Sequence, residues 1–365
     1  MKGSRSDSAS QSLAFRQRVG LTAAAAAIAP EDYGFDFDRF SSEGVWAFCR
    51  FTGTDISAAR IGFQHGAFDL SCQPQVPDRS YLQLHLEVMT QDGAVLWLPS
   101  GQYASENVVS ERRAMHASLE NAGREIFHYR GWPGIDCRFR SEDDSLEAVL
   151  RFDLGSVTVL PDGILPQCVF AMWESMGVVS GTIRCDARTV AVDGKVFFDH
   201  TRIVRRRSAA PTRGMSLYTT MYFEDGSGVF GYWTLDERNA PIKDYCFGVY
   251  LDPVGSGHFL ASATLSDLIT DQDGIASSWR VHYRHQDFDL TLQIVAQQHQ
   301  IRRAWGSPNA PTQRAAFSII PLVLDGSAQL RRARRALTPL RGFGLAEYYS
   351  AALWRANSKA ARGAG

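Results

Sequence analysis

The chain has 365 residues, 38 Lys+Arg against 39 Asp+Glu, and 45% apolar residues that include 8 Trp, 12 Tyr and 21 Phe. That length suits one large or two medium domains, and the apolar fraction excludes disorder over most of it. The near cancellation of charge speaks against a nucleic-acid-binding footprint.

The first forty residues stand apart. Arg16 and Arg18 precede an Ala-rich run over 19–29 that ends in Ala-Ile-Ala, the outline of a secretory signal. The run is weakly hydrophobic and Pro30 follows it directly, so the favoured expectation is a Ser-rich start, a short Ala-rich helix and a cytoplasmic protein. No apolar stretch approaches the roughly 18 residues needed to span a bilayer, so no stable membrane insertion is expected.

From about Val45 onward the texture is that of a β protein. Strands are expected over 81–89, 146–154, 178–185, 196–200, 218–224, 227–235, 245–251, 278–283 and 288–296. Six Asp-Gly pairs signal hairpins, at Asp92, Asp162, Asp193, Asp225, Asp273 and Asp325, because Gly accepts the positive φ of a tight turn. Helical spacing is strongest over 347–359, where Tyr348, Ala351, Ala352 and Trp354 predict a short closing helix.

An internal repeat is also present. The segment from Ser180 through Gly194 to Asp199-His200 reads like the segment from Gly326 through Gly342 to Glu347-Tyr348, with an acid five positions after a glycine in both. Two related β domains, residues 41–206 and 207–365, would explain it. Near their junction lie Arg202, Arg205, Arg206 and Arg207, and the second half carries Arg331, Arg332, Arg334 and Arg335. Such runs either bind an anion or simply face water, and without interleaved aromatics the solvated reading is preferred.

Several reactive signatures are missing. The chain has no P-loop, no His-Glu-x-x-His, no Gly-x-Ser-x-Gly and no full Gly-x-Gly-x-x-Gly. The six cysteines are at least 17 positions apart, so no zinc knuckle or Cys-x-x-Cys pair exists, and buried free thiols are expected. His282 and His285, three apart on a strand, should point to opposite faces rather than share a metal. Neither a metal nor an organic cofactor is implied.

What remains is acid embedded among aromatics. Asp199 follows Phe197-Phe198, Glu174 follows Trp173, and Glu347 precedes Tyr348-Tyr349. A carboxyl desolvated in such surroundings keeps its proton at neutral pH and can deliver it to an alkene or carbonyl, and nearby rings can stabilise a cation. The alternative is that Asp199 caps a strand or pairs with one of the arginines after it. Trp173, Tyr218, Tyr222, Trp233, Tyr250 and Trp279 are candidate walls of a pocket for a hydrophobic small molecule, together with Glu174 and Phe197, although any one such aromatic is more often core than ligand contact.

The stretches Ser180-Gly181-Thr182-Ile183, Val192 through Phe197-Phe198-Asp199-His200, and 218–233 with its Tyr-Phe-x-Asp-Gly core resemble the central region of the carotenoid 1,2-hydratase and AttH-like proteins. That superfamily also includes lipocalin-like Diels–Alderases. The resemblance implies an all-β fold of two consecutive calycin-type antiparallel β-barrels or half-barrels that hold an apolar ligand. It also implies that Asp199 fills the place of the hydratases' proposed proton donor. The pattern departs from theirs at Val196, Phe197 and Thr201, and Arg202-Ile203 replaces its glycine-containing end. The expected function is a cofactor-independent hydratase or cyclase of an isoprenoid or polyene, with a pericyclic cyclase or a passive carrier as alternatives.

Overall fold

The computed structural model describes residues 22–24, 42–65, 81–92, 95–98, 102–104, 108–111, 116–131, 134–159, 168–205, 215–236, 238, 240–254, 256–260, 263–271, 275–285, 288–297, 318–332 and 338–350. All regular structure among them is β. The first half contributes β1 (Thr22–Ala24), β2 (Ser42–Phe51), β3 (Ile56–His65), β4 (Tyr81–Thr90), β5 (Val95–Leu98), β6 (Gln102–Ala104) and β7 (Val108–Glu111). It continues with β8 (His116–Asn121), β9 (Arg124–Arg130), β10 (Ile135–Arg140), β11 (Leu146–Val159), β12 (Cys168–Cys185) and β13 (Arg188–Arg205). The second half contributes β14 (Met215–Phe223), β15 (Gly228–Leu235), β16 (Pro241–Leu251), β17 (Gly257–Leu260), β18 (Ala263–Thr270), β19 (Ala276–Arg284), β20 (Phe288–Gln297), β21 (Ser318–Arg332) and β22 (Thr338–Ser350).

The strands form two antiparallel sheets. In the first the order is β5-β4-β3-β2-β13-β12-β11-β10-β9-β8-β7, with β1 on β11 and β6 on β4; in the second it is β17-β16-β15-β14-β22-β21-β20-β19-β18. In each half an early strand, β2 or β14, pairs with the last strand, β13 or β22, which curls the sheet into a half-barrel. The repeat is therefore topological, and its register agrees. Asp199 pairs with Trp46 and Gly194 with Phe51, while Glu347 pairs with Tyr218 and Gly342 with Phe223.

Period-two burial explains the strands. In β10 the apolar Ile135, Cys137 and Phe139 turn inward while Asp136, Arg138 and Arg140 are only partly covered. By contrast every residue of β14 is buried. One of its faces serves the core of its own half-barrel, with Leu217, Met221 and Phe223, and the other meets the first sheet, with Tyr218 and Tyr222. Three clusters result. One fills the first half-barrel, one the second, and a third joins Phe48, Ala58, Met89 and Phe197 of the first sheet to Tyr218, Tyr222, Phe230, Phe247, Val249, Leu251 and Leu345 of the second. Each large side chain removed from water there is worth about 1.5–3 kcal/mol.

Several expectations need correction. The closing helix is absent over 347–350, which belong to β22; residues 351–359 lie outside those described. The alternation of Ala346 and Tyr348 into the second core with Leu345 into the inter-sheet cluster is strand-like. Ala-rich 22–24 is strand, not helix, because it completes the edge of β11 beyond the stretch paired with β10. Asp225-Gly226 does make the expected hairpin, with Gly226 at φ 85° and Asp225 Oδ1 accepting from the Ser227 amide at 3.0 Å. Asp92 also lies in a turn, but Asp193-Gly194 and Asp325-Gly326 lie inside β13 and β21. There glycine serves close approach: a Cβ on Gly194 would collide with the carbonyl oxygen of Arg50, and one on Gly326 would come within 2.7 Å of that of Gln293. Gly93 and the remaining two Asp-Gly pairs lie outside the described residues.

Candidate active site

The long strands β12 and β13 carry the central acids. Their register sets Glu174 directly opposite Asp199, Asp199 opposite Trp46, Trp46 opposite Gly62 and Gly62 opposite His85, a row across β12, β13, β2, β3 and β4. Side chains so paired on one face stand about 4.5–5.5 Å apart at Cβ. Gly62 is required here, because the Trp46 indole lies where its Cβ would be.

The facing row of the second sheet runs Pro321, Glu347, Tyr218, Tyr232 and Phe247. Two of the polar links between the sheets lie at the acids. Tyr218 Oη donates to Glu174 Oε1 at 2.9 Å, and Arg60 on β3 donates to and is ion-paired with Glu347. Arg60 also reaches Glu87 Oε2 at 3.3 Å, and its guanidinium carbon stands 4.5 Å from the Trp46 ring centre. Phe48 packs on Tyr218 at 5.1 Å and Phe197 on Tyr222 at 4.5 Å, so aromatic rings border the acids.

Burial sets the electrostatics. Glu174 is 0% exposed and Asp199 7%. Among the described residues the buried carboxylic side chains are Glu43, Glu87, Glu174, Asp199 and Glu347, while the buried bases are Arg60, His85 and His200. Desolvation, reinforced by Asp199 and opposed by the Tyr218 hydrogen bond, raises the Glu174 carboxyl well above the ordinary range. Desolvation likewise raises Asp199 far above it; the hydrogen bond from Thr201 Oγ1 at 2.9 Å and the charge of Arg60 work against the shift, and Glu347 adds to it. Tyr218 is pushed up by the same burial and by the acids around it, so it stays a phenol and a donor. Burial therefore favours the protonated form of both acids in an aromatic layer, a setting for proton delivery.

No family model matches the chain, and no curated protein matches its sequence. Structure does find likenesses. An AttH-type protein of Nitrosomonas europaea aligns with 88% of this chain and 96% of its own, at 12% identity and a TM-score of 0.61. The chain has the AttH fold. Kievitone hydratase from Nectria haematococca shares that fold too, covering 88% of this chain and 93% of its own at 10% identity and a TM-score of 0.53.

Within the AttH fold the sequence candidates fall into two groups. Asp199, Glu174, Phe197, Tyr218 and Tyr222 come together on the inter-sheet face. Trp173 points instead into the first half-barrel, against Phe198 at 5.6 Å and His200 at 5.5 Å, and Trp233, Tyr250 and Trp279 belong to the core of the second. Strand alternation separates them, because neighbours along a strand face opposite sides. Asp199 lies inside β13 rather than at a strand end, and its hydrogen bond among the described residues comes from Thr201; the side chains of the arginines after it lie outside those described. The sequence reading missed Arg60, Glu87 and Trp46. The available signal was one arginine in the otherwise apolar run Ala58-Ala59-Arg60-Ile61-Gly62 of β3. The solvent-open concavity bordered by Glu125, His128, Asp136, Arg138 and Arg151 shares no residue with the acid cluster.

Proposed function

We propose that the protein is an acid-type hydratase or cyclase of an apolar isoprenoid or polyene, with Asp199 as the proton donor. The observation that carries this reading is the pairing of Asp199 and Glu174, two adjacent carboxyls whose burial raises their pKa values well above the ordinary range, in a layer lined by Trp46, Phe48, Phe197, Tyr218 and Tyr222. Two acids sealed from water are costly to keep for storage alone, which favours chemistry over carriage.

In the step itself the Asp199 O–H bond breaks as its proton forms a C–H bond to one alkene carbon, leaving a carboxylate and a cation on the neighbouring carbon. The ring faces stabilise that cation, and the carboxylate lies close enough to keep it from diffusing. Water then adds, giving hydration, or an internal alkene adds, giving a ring. The proton lost from the added water or from the carbon next to the final cation returns to the carboxylate, restoring the acid.

The test compares metabolites of the producing organism in heavy water with the gene intact, deleted, or carrying Asp199→Asn. The reading expects deletion and Asp199→Asn to accumulate the same unhydrated or linear precursor, and the normal product to carry deuterium at the protonated carbon. A product that forms normally in the Asp199→Asn strain, or that carries no deuterium, refutes the proton-donor role and points to shape-driven closure or carriage.

A further inference from the structure

Asp199 accounts for one of the two adjacent acids and leaves Glu174 without a task. Tyr218 donates to Glu174 Oε1, which marks that atom as the accepting oxygen and places the acid proton on Oε2. Oε2 is buried and meets no hydrogen-bond partner among the described residues. Arg60, the nearby cation, is engaged by Glu347 and Glu87. A second polar atom of the inter-sheet cluster is in the same condition: Tyr222 Oη is buried without a partner, on a side chain only 4% exposed that packs against Phe197. Burial keeps the Tyr222 phenol protonated as well, so both atoms present a hydrogen.

Buried donors are almost always met, and an unmet one in an otherwise apolar layer marks a place where an acceptor arrives from outside the chain. The rings around them, Phe48, Phe197 and Phe230, carry no oxygen, and the Asp199 carboxyl opposite Glu174 makes no hydrogen bond to Oε2 among the described residues. An acceptor without a hydrogen of its own suits two donors better than a hydroxyl does.

We infer that the ligand of this face carries a carbonyl oxygen, to which Glu174 donates from Oε2 and Tyr222 donates from Oη. This rests on the site proposed above but not on the chemistry assigned to Asp199. The substrate class narrows accordingly from hydrocarbon polyenes to isoprenoid or polyene ketones and enones. A hydrogen bond to the carbonyl of an enone withdraws electrons from the conjugated alkene, which prepares the distal carbon for attack by water or by a second alkene.

The experiment titrates the full chain with β-ionone, an isoprenoid enone, and with its deoxygenated hydrocarbon analogue, reading tryptophan fluorescence and the infrared carbonyl band of the bound enone. The expected result is a preference for β-ionone of about tenfold or more, with its carbonyl band moved to lower frequency. Glu174→Gln, whose amide nitrogen also donates, should retain the preference, Glu174→Leu should lose most of it, and Tyr222→Phe should lose a smaller part. Should Glu174→Leu fail to fold, the Glu174→Gln and Tyr222→Phe titrations and the wild-type carbonyl shift decide. Equal affinity for the two probes, including no measurable binding of either, overturns the inference, as does an unshifted band. Asp199→Asn separates the two proposals: it should keep the enone preference whatever it does to turnover.

Discussion

At matching register positions the first half-barrel places Asp199 beside Trp46, and the second places Glu347 beside Tyr218. Both acids face the inter-sheet layer, yet Glu347 is paired with Arg60 while Asp199, among the described residues, receives the hydroxyl of Thr201 alone. One repeated frame has thus produced a compensated carboxyl and an uncompensated one. A second contrast lies on the other face of the same strands. The first half buries a His200–Glu43 pair at 3.0 Å, where the second, at corresponding positions, buries Tyr348 and Met215. The two halves share the geometry, and different residues within it place most of the buried charge in the first half.

The sharpest way to break the contrast between the acids is to remove the arginine. Arg60→Ala should cost about 3–5 kcal/mol in urea unfolding, because it strips a buried ion pair of one partner. Arg60→Met combined with Glu347→Gln and Glu87→Gln should recover most of that loss, because replacing all partners of a buried ion pair can be close to neutral. A triple variant as unstable as Arg60→Ala would show that the guanidinium's packing on Trp46, not its charge, is what the fold needs.

Next in size is the backbone contact that holds β13 to β2. Gly194→Ala should cost about 1–3 kcal/mol by forcing the Arg50 carbonyl aside, whereas a glycine placed only for a turn would leave that pairing intact. Amide exchange at β2 and β13 locates the damage, and unchanged protection there would contradict the close-approach role.

The pH dependence sharpens the comparison further. Asp199 and Glu174 have folded-state pKa values above those of the unfolded chain, so the native state binds more protons. Their contribution is therefore fully present below about pH 4, and each acid lowers stability by about 1.4 kcal/mol per pH unit as pH rises from there toward its folded pKa. The Asp199→Asn, Glu174→Gln double variant should flatten that slope and be the more stable protein at neutral pH. A variant equal to or weaker than wild type across the range would mean that these acids are not held neutral.

Much of the frame was legible in the sequence. Phe288 to Ala296 alternates cleanly, Asp225-Gly226 turns as its chemistry demands, and the Gly194/Gly342 spacing to an acid survives as matched register. Asp199, Glu174, Phe197, Tyr218 and Tyr222 stand out in the sequence because carboxyls among aromatics are conspicuous locally, and the fold brings them to one face. Arg60, Glu87 and Trp46 do not, since they reach the acids only through sheet register and inter-sheet packing that no local motif encodes. Trp233, Tyr250 and Trp279 show the converse: aromatic identity alone does not tell which face of a strand a ring occupies. The closing helix failed for a related reason, as a short Ala- and Tyr-rich run fits both periods until its partners β14 and β21 select the extended one.

The central claim is that two neutral carboxylic acids sit between the half-barrels at neutral pH. Infrared difference spectroscopy of the full chain reads this without any substrate, by comparing wild type with Asp199→Asn and Glu174→Gln. The account predicts protonated-carboxyl bands in the wild type at neutral pH, one lost in each variant and both lost in the double. Spectra in which neither variant removes such a band would contradict it, for Asp199 and Glu174 would then be ordinary carboxylates.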